Sequence, residues 1–324
     1  MHLVFRCRRD DPQGRAWKEL FVRSWPAYRA WYLAKGSEAR PDLATCRAAL
    51  LRHMPELVPE WNRRVEWAAG DETAARMLSL YRPPAIIAGC TQATLTEGPV
   101  ALIRNYDYHP QLCEGTIFLG QWNETQVLAS SDCLWGVLDG MNDRGLAVAL
   151  SFGGRPEVGD GFAVTLILRY VLEICGNVDE AAEVLARVPC FMAYNVTLLD
   201  AQGMRAVVEI GPDRPARVVK TDVATNHQTD AAGWEKYEEL SQSQDRRGYL
   251  ESLLSEPRPS AEDLLRAFLE PPLFRTRYDR GCGTLYTALY FPAEGRVEYH
   301  WPSQSLRQSL TAFRAKTVGI DYSD

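Results

Sequence analysis

The stretch Ala85-Ile86-Ile87-Ala88-Gly89-Cys90-Thr91 divides the chain into two textures. Before it, residues 1 to about 82 read as helical, with Trp17, Leu20, Phe21, Trp25, Tyr28 and Trp31 near three-to-four spacing and charged residues between them. Helical patterns also run over 42–53 and 71–80, and Pro83-Pro84 ends the last. After it come short strand-like runs at 85–88, 100–106, 116–120, 126–130 and 146–152. Turn formers separate them, among them Glu97-Gly98-Pro99 and Asn142-Asp143-Arg144-Gly145. Helices follow at 162–175 and 178–188, the second capped by Asn177. Strands at 194–199, 205–210 and 216–219 lead into Thr225-Asn226-His227, and a polar helical region, 231–270, precedes a last strand pair at 283–291 and 296–301. This order predicts an α+β chain of two antiparallel sheets with helical layers outside.

The 324 residues are 46% hydrophobic and 24% charged, enough apolar material for a sizeable core. The net charge of −6 comes from interspersed acids and bases, which argues against nucleic acid or an anionic membrane as partner. The most apolar stretch, 162–174, is interrupted by Arg169 and Glu173 and falls short of the roughly 20 residues that span a bilayer. Arg6, Arg8, Arg9, Asp10 and Asp11 have no apolar signal core behind them, so a cytoplasmic protein is expected. Eight cysteines show no Cys-x-x-Cys pair, and the five histidines no metal-ligand spacing, so no metal and no cofactor is expected.

The texture changes beside Gly89-Cys90, and that coincidence directs attention to Cys90. A thiolate attacks acyl groups, but an unperturbed thiol has a pKa of about 8.5 and needs a base close by. A peptide bond cut just before cysteine supplies one, because a free α-amino group has a pKa near 8. The same thiol can make the cut by attacking the Gly89 carbonyl, which a residue without Cβ leaves accessible. The run Val100-Ala101-Leu102-Ile103-Arg104-Asn105-Tyr106-Asp107-Tyr108 follows a turn at Gly98-Pro99 that would fold it back along the strand bearing Cys90. Arg104 could then depress the thiol pKa, and Asp107 orient the α-amine. Asn142, in Gly140-Met141-Asn142, and Asn195, in Tyr194-Asn195-Val196-Thr197, are candidate donors to a developing oxyanion; the plain readings are a turn residue and a buried polar anchor. Trp122, Trp135, Phe152, Phe191 and Tyr194 are candidates for an apolar acyl pocket, or simply core.

In this order Gly89-Cys90-Thr91, Arg104-Asn105-x-Asp107, Gly140-Met141-Asn142-x-x-Gly145, Tyr194-Asn195, Thr225-Asn226-His227 and Gly283-Thr284-Leu285-Tyr286-Thr287 resemble the self-cleaving acyltransferases of the isopenicillin-N (acyl-CoA:6-aminopenicillanate) acyltransferase type. Choloylglycine hydrolases and acid ceramidase are more distant relatives of that family. The resemblance implies the N-terminal nucleophile fold, a four-layer αββα sandwich, with residues 1–89 as a prosegment or smaller subunit and 90–324 as the catalytic domain. It implies self-cleavage between Gly89 and Cys90, fragments that stay associated, and Cys90, Arg104, Asp107, Asn142 and Asn195 as the catalytic set. The substrate would be a small-molecule amide or acyl thioester, with acyl-CoA possible as an acyl donor.

Two other readings remain open at this stage. His227 could bring an imidazole to a thiol in a Cys-His hydrolase, and the fold could serve as a non-catalytic binding protein.

Overall fold

The computed structural model describes residues 1–229, 234–255 and 257–322. Among them, nine strands form a larger sheet in the order Arg217–Val219, Arg205–Ile210, Tyr194–Asp200, Leu146–Phe152, Gly136–Asn142, Thr125–Asp132, Thr116–Trp122, His2–Arg9 and Lys316–Asp321. A smaller sheet orders Val223–Ala224, Gly89–Leu95, Ala101–Tyr108, Cys282–Phe291, Arg296–Trp301 and Gln304–Ser309, with Thr276–Arg277 paired onto Cys282–Phe291. Neighbours in both sheets are antiparallel except His2–Arg9 and Thr116–Trp122, which are parallel.

Period-two alternation builds the layers. On Ala101–Tyr108, Leu102 and Tyr106 enter the core between the sheets. Ala101 and Ile103 point the other way, onto Leu250, Leu264 and Phe268 of the helices Ser243–Leu253 and Ala261–Phe268. The larger sheet is covered outside by Val164–Ile174 and Val178–Arg187. Val164–Ile174 is apolar on nearly every face and buried, as its position under Val178–Arg187 and the N-terminal helices requires. Its one cation, Arg169, pairs with Glu173 at 2.9 Å and lies 3.8 Å over the Trp122 ring. The result is the four-layer αββα sandwich.

Helix ends obey the sequence. Asp42, Asp71 and Asn177 each accept from a backbone N–H three residues on, capping Leu43–His53, Glu72–Leu78 and Val178–Arg187.

Three expectations need correction. The first quarter does not begin as helix: residues 2–9 form a strand, with Phe5 and Cys7 buried in period two between arginines that mask the pattern. Residues 85–88 are not a strand, which starts at Gly89 instead. Gly136–Asn142, Gln304–Ser309 and Lys316–Asp321 are strands that the texture did not announce. The polar region 231–270 resolves into Glu235–Ser241, Ser243–Leu253 and Ala261–Phe268, while residues 231–233 and 256 lie outside the described ones.

Phe5 is 2% exposed and packs 4.9 Å from the Trp301 ring, so it fastens the first strand to the other sheet. Phe5→Ala is expected to lower unfolding free energy by about 3–5 kcal/mol in a urea titration. An unchanged midpoint would show that this strand contributes no packing.

Candidate active site

The turn at Gly98-Pro99 returns Ala101–Tyr108 antiparallel to Gly89–Leu95, with Cys90 opposite Tyr106 and Gln92 opposite Arg104. Cys90 and Arg104 therefore share the face toward the larger sheet as diagonal neighbours, a separation that a long side chain bridges. Arg104 Nη2 donates to Cys90 Sγ at 3.2 Å. Its Nη1 pairs with Asp139 of the larger sheet, and its guanidinium carbon lies 4.7 Å from the Tyr106 ring centre. Asp139 also accepts from the hydroxyls of Tyr286, at 2.6 Å, and Tyr290. Cys90, Arg104 and Asp139 are wholly buried. Burial pushes the Cys90 thiol above its usual range, and the charge and hydrogen bond of Arg104 act against that rise.

Asp107 stands opposite Gly89. A Cβ at position 89 would lie 3.0 Å from Asp107 Cβ, so glycine is what lets the strands approach here. Asp107 Oδ1 accepts from Thr284 Oγ1 at 2.8 Å; Oδ2 is buried, without a hydrogen-bond partner among the described residues, and 3.9 Å from Arg246 Nη1. The main chain of Cys90 is held at both ends. Its N–H donates to Asn226 Oδ1 at 3.0 Å, and its carbonyl accepts from Arg246 Nη1 at 2.7 Å. Arg246 Nη2 also donates to Asn226 Oδ1, at 2.8 Å, coupling the two grips.

The structure does not bring Asn142 to this cluster. Its Nδ2 donates to Leu172 O at 3.0 Å and Cys175 O at 2.7 Å, which uses both amide hydrogens. It lies three residues beyond Asp139 on the same strand, roughly 10 Å along it. It fastens the end of Val164–Ile174 and the turn into Leu146–Phe152. Asn195 is one step removed: its Nδ2 donates to Thr225 O and His227 O, both at 3.0 Å, and so shapes the loop that carries Asn226. His227 does not point its ring at the thiol. Its Nδ1 meets Ser243 Oγ at 2.7 Å, its Nε2 faces Arg247 at 3.3 Å, and burial with the Arg247 charge holds it down to about 4.

Asp139, Arg246 and Tyr237 were not singled out by sequence, and Asn226 only as part of the Thr225-Asn226-His227 motif. Asp139, an acid inside an apolar run, and Asn226, in the Thr-Asn-His turn, carried a readable signal. Arg246 did not, because Gln244-Asp245-Arg246-Arg247 reads as a solvated helix face.

The segment before Cys90 is held by side chains. Ile86 O accepts from Tyr194 OH at 2.7 Å, and Ala88 O from Tyr237 OH at 3.1 Å and Asn226 Nδ2 at 3.4 Å. Of the aromatic candidates, Tyr194 thus lines the site, and Phe152 stands edge-on to Tyr237 at 4.9 Å. Phe191 packs 6.4 Å from the Tyr194 ring, while Trp122 and Trp135 flank Arg169 in the core. A cavity of about 260 Å³ opens beside Ile86, lined by Tyr28, Trp31, Tyr108, Glu114 and Asp132. The Tyr28 hydroxyl faces Glu114 at 3.1 Å and Asp132 at 2.8 Å with one proton to give. Burial and the charge of Asp132 push the Glu114 carboxyl well above its usual range.

Asn142→Ala is expected to cost about 1–3 kcal/mol of stability, since two carbonyls lose their donor, while the alkylation rate of Cys90 stays at the wild-type value. A slowed alkylation would place Asn142 in the thiol's chemistry after all. For His227 the sign follows from its depressed pKa. Below about 6.5 the unfolded chain takes up a proton that the folded chain refuses until about 4, so stability falls as pH drops through that window. Urea titrations at pH 7 and pH 5 should show this loss in wild type and less of it in His227→Gln.

The sequence profile of the family described as acyl-coenzyme A:6-aminopenicillanic acid acyl-transferase matches residues 94–306. No curated protein sequence matches significantly. Among solved structures, a variant of conjugated bile acid hydrolase from Clostridium perfringens is similar with a TM-score of 0.51 at 15% identity, over 72% of this chain and 97% of that one. Penicillin V acylase from Agrobacterium tumefaciens gives 0.47 at 15%, over 68% and 86%. An N-acylethanolamine-hydrolyzing acid amidase ortholog from Caenorhabditis elegans gives 0.46 at 17%, over 72% and 100%. The likeness to the bile acid hydrolase is one of fold, the N-terminal nucleophile sandwich. With two thirds of its length matched by the profile, the chain belongs to the acyl-coenzyme A:6-aminopenicillanic acid acyl-transferase family.

Proposed function

We propose that this chain is a self-activating cysteine enzyme of linear amide bonds, in which Cys90 first cuts its own bond to Gly89 and then carries acyl groups as thioesters. The observation that carries this reading is the 3.2 Å contact from Arg104 Nη2 to Cys90 Sγ, on the residue that follows Gly89. In the first step Sγ adds to the Gly89 carbonyl carbon. The C–N bond to Cys90 breaks, the thiol proton passes to the departing nitrogen, and a thioester joins Gly89 to Sγ. Water hydrolyses it to a Gly89 carboxylate, restoring the thiol beside a new α-amine.

That amine, with a pKa near 8, is the base the buried thiol lacks in the uncut chain. In turnover it takes the thiol proton as Sγ attacks a substrate carbonyl and gives it to the leaving amine. The acyl group then passes to water or to an accepting amine. Arg104 offsets the thiolate charge, Asn226 Oδ1 accepts from the amine as it accepts from the amide now, and Asp107 Oδ2 faces the ammonium. Asn195 acts as a positioning residue through the loop of Asn226.

Residues 1–89 would stay bound after the cut. His2–Arg9 lies between Thr116–Trp122 and Lys316–Asp321, and Trp17 Nε1 donates to Leu134 O at 3.0 Å. Buried Arg64 lies 5.6 Å from the Trp17 ring and 5.2 Å from the Trp135 ring.

Intact mass under denaturing conditions tests the first step. Wild type is expected to give two fragments divided between Gly89 and Cys90, and Cys90→Ala a single chain. A wild-type chain still whole after prolonged incubation would sink self-activation. Product analysis with and without a competing amine then separates transfer from hydrolysis.

A further inference from the structure

We infer that the mature site takes peptide-like amides whose acyl half is an N-acylglycyl group, R–CO–NH–CH₂–CO–, and that residues 86–89 occupy those subsites in the uncut chain; the inference rests on the reading of Cys90 above. Strand pairing begins only at Gly89, so the carbonyls just before it take no part in either sheet. Two of them, at alternate positions, are met by side chains of the surrounding wall: Ile86 O by Tyr194, and Ala88 O by Tyr237 and Asn226. These donors belong to the scaffold rather than to the segment. Tyr194 lies in a central strand of the larger sheet, Tyr237 packs edge-on against Phe152, and Asn226 is fixed by its bonds to Phe152 O and Arg246.

All three donors are nearly inaccessible, at 1% exposure for Tyr194, 7% for Tyr237 and 1% for Asn226. When the cut end at Gly89 withdraws, the two tyrosine hydroxyls lose those acceptors and Asn226 Nδ2 keeps only Phe152 O. A buried donor left unpaired is costly, so a ligand that restores the acceptors is favoured and one that lacks them is rejected. The spacing defines that ligand. The acceptor at residue 88 is separated from the carbonyl under attack by one N–H and one CH₂, and the next acceptor lies two residues further. A simple alkanoyl chain has neither. Branching next to the attacked carbonyl is disfavoured, since a Cβ at position 89 meets Asp107 Cβ at 3.0 Å and Oδ2 at 3.4 Å. At position 86 the side chain borders the 260 Å³ cavity walled by Tyr28, Trp31 and Tyr108, with room for an apolar or aromatic group.

In the reaction the Sγ–C bond forms at the glycyl carbonyl as its C–N bond breaks, and the amine leaves with the thiol's proton. Water then releases the N-acylglycine and returns a proton to sulfur.

The test uses the self-cleaved wild-type protein with two anilides: the acetylated tetrapeptide of residues 86–89 as its p-nitroanilide, and hexanoyl p-nitroanilide. The peptidyl anilide is expected to have at least about tenfold higher kcat/KM, and the peptidyl-to-hexanoyl ratio to fall about tenfold in Tyr194→Phe and in Tyr237→Phe. Should a variant not mature, inhibition of wild type by the tetrapeptide free acid is compared with its analogue bearing a methylene in place of carbonyl 88. Binding about tenfold tighter with the carbonyl is expected. Equal rates on the two anilides, a preference untouched by both substitutions, or equal inhibition by the two acids would overturn the inference. A wild-type protein that forms no Cys90 thioester with either anilide overturns the reading of Cys90 itself, which a mere lack of preference leaves standing.

Discussion

The arrangement depends on one buried cation. Arg104 sits wholly inside the molecule, and a charge there must be paired. It reaches Asp139 across the gap between the sheets, and Asp139 is in turn held by two tyrosine hydroxyls from the smaller sheet. Removing either partner would strand the other, at about 3–5 kcal/mol for a pair of this kind. The ion pair therefore constrains the stacking of the sheets as well as the chemistry of the thiol. It also constrains register, because a slip of one residue on Ala101–Tyr108 would turn Arg104 to the helical side.

The thiol lies between two opposed effects. Burial and, less strongly, the charge of Asp107 raise its pKa, while Arg104 and, more weakly, Arg246 lower it. In the uncut chain the neighbouring nitrogen is an amide and cannot take the proton. The proposed scission would change that nitrogen into a base, so a single covalent event would convert a quiet buried cysteine into a nucleophile with its own proton acceptor.

Local pattern carried the parts of this arrangement that are local. A turn at Gly98-Pro99 and the alternation after it are enough to bring Arg104 to Cys90 and Asp107 to Gly89, because antiparallel register follows from the turn. The layer order was legible for the same reason. What escaped is non-local or disguised. The first strand hides two buried side chains among arginines and gains its partners from residues over a hundred positions away. Arg246 arrives from a polar helix with no mark of its destination. For Asn142 the local pattern is the same whether a buried asparagine beside a turn serves a reaction or two helix-end carbonyls, and its amide hydrogens go to Leu172 O and Cys175 O.

Asp107 Oδ2 is one of several buried polar atoms without a hydrogen-bond partner among the described residues, Arg104 Nε and Asn195 Oδ1 being others near the site. An amide nitrogen at Cys90 has one hydrogen, and Asn226 already takes it. An ammonium at the same place has three, and needs acceptors that the amide does not. Asp107 stands opposite Gly89, with Oδ2 on the side where the cut opens the chain. Under the proposed self-cleavage, the new ammonium would supply the donor that this atom lacks. On that proposal the acid lies against the glycine because that is where the new ammonium would form.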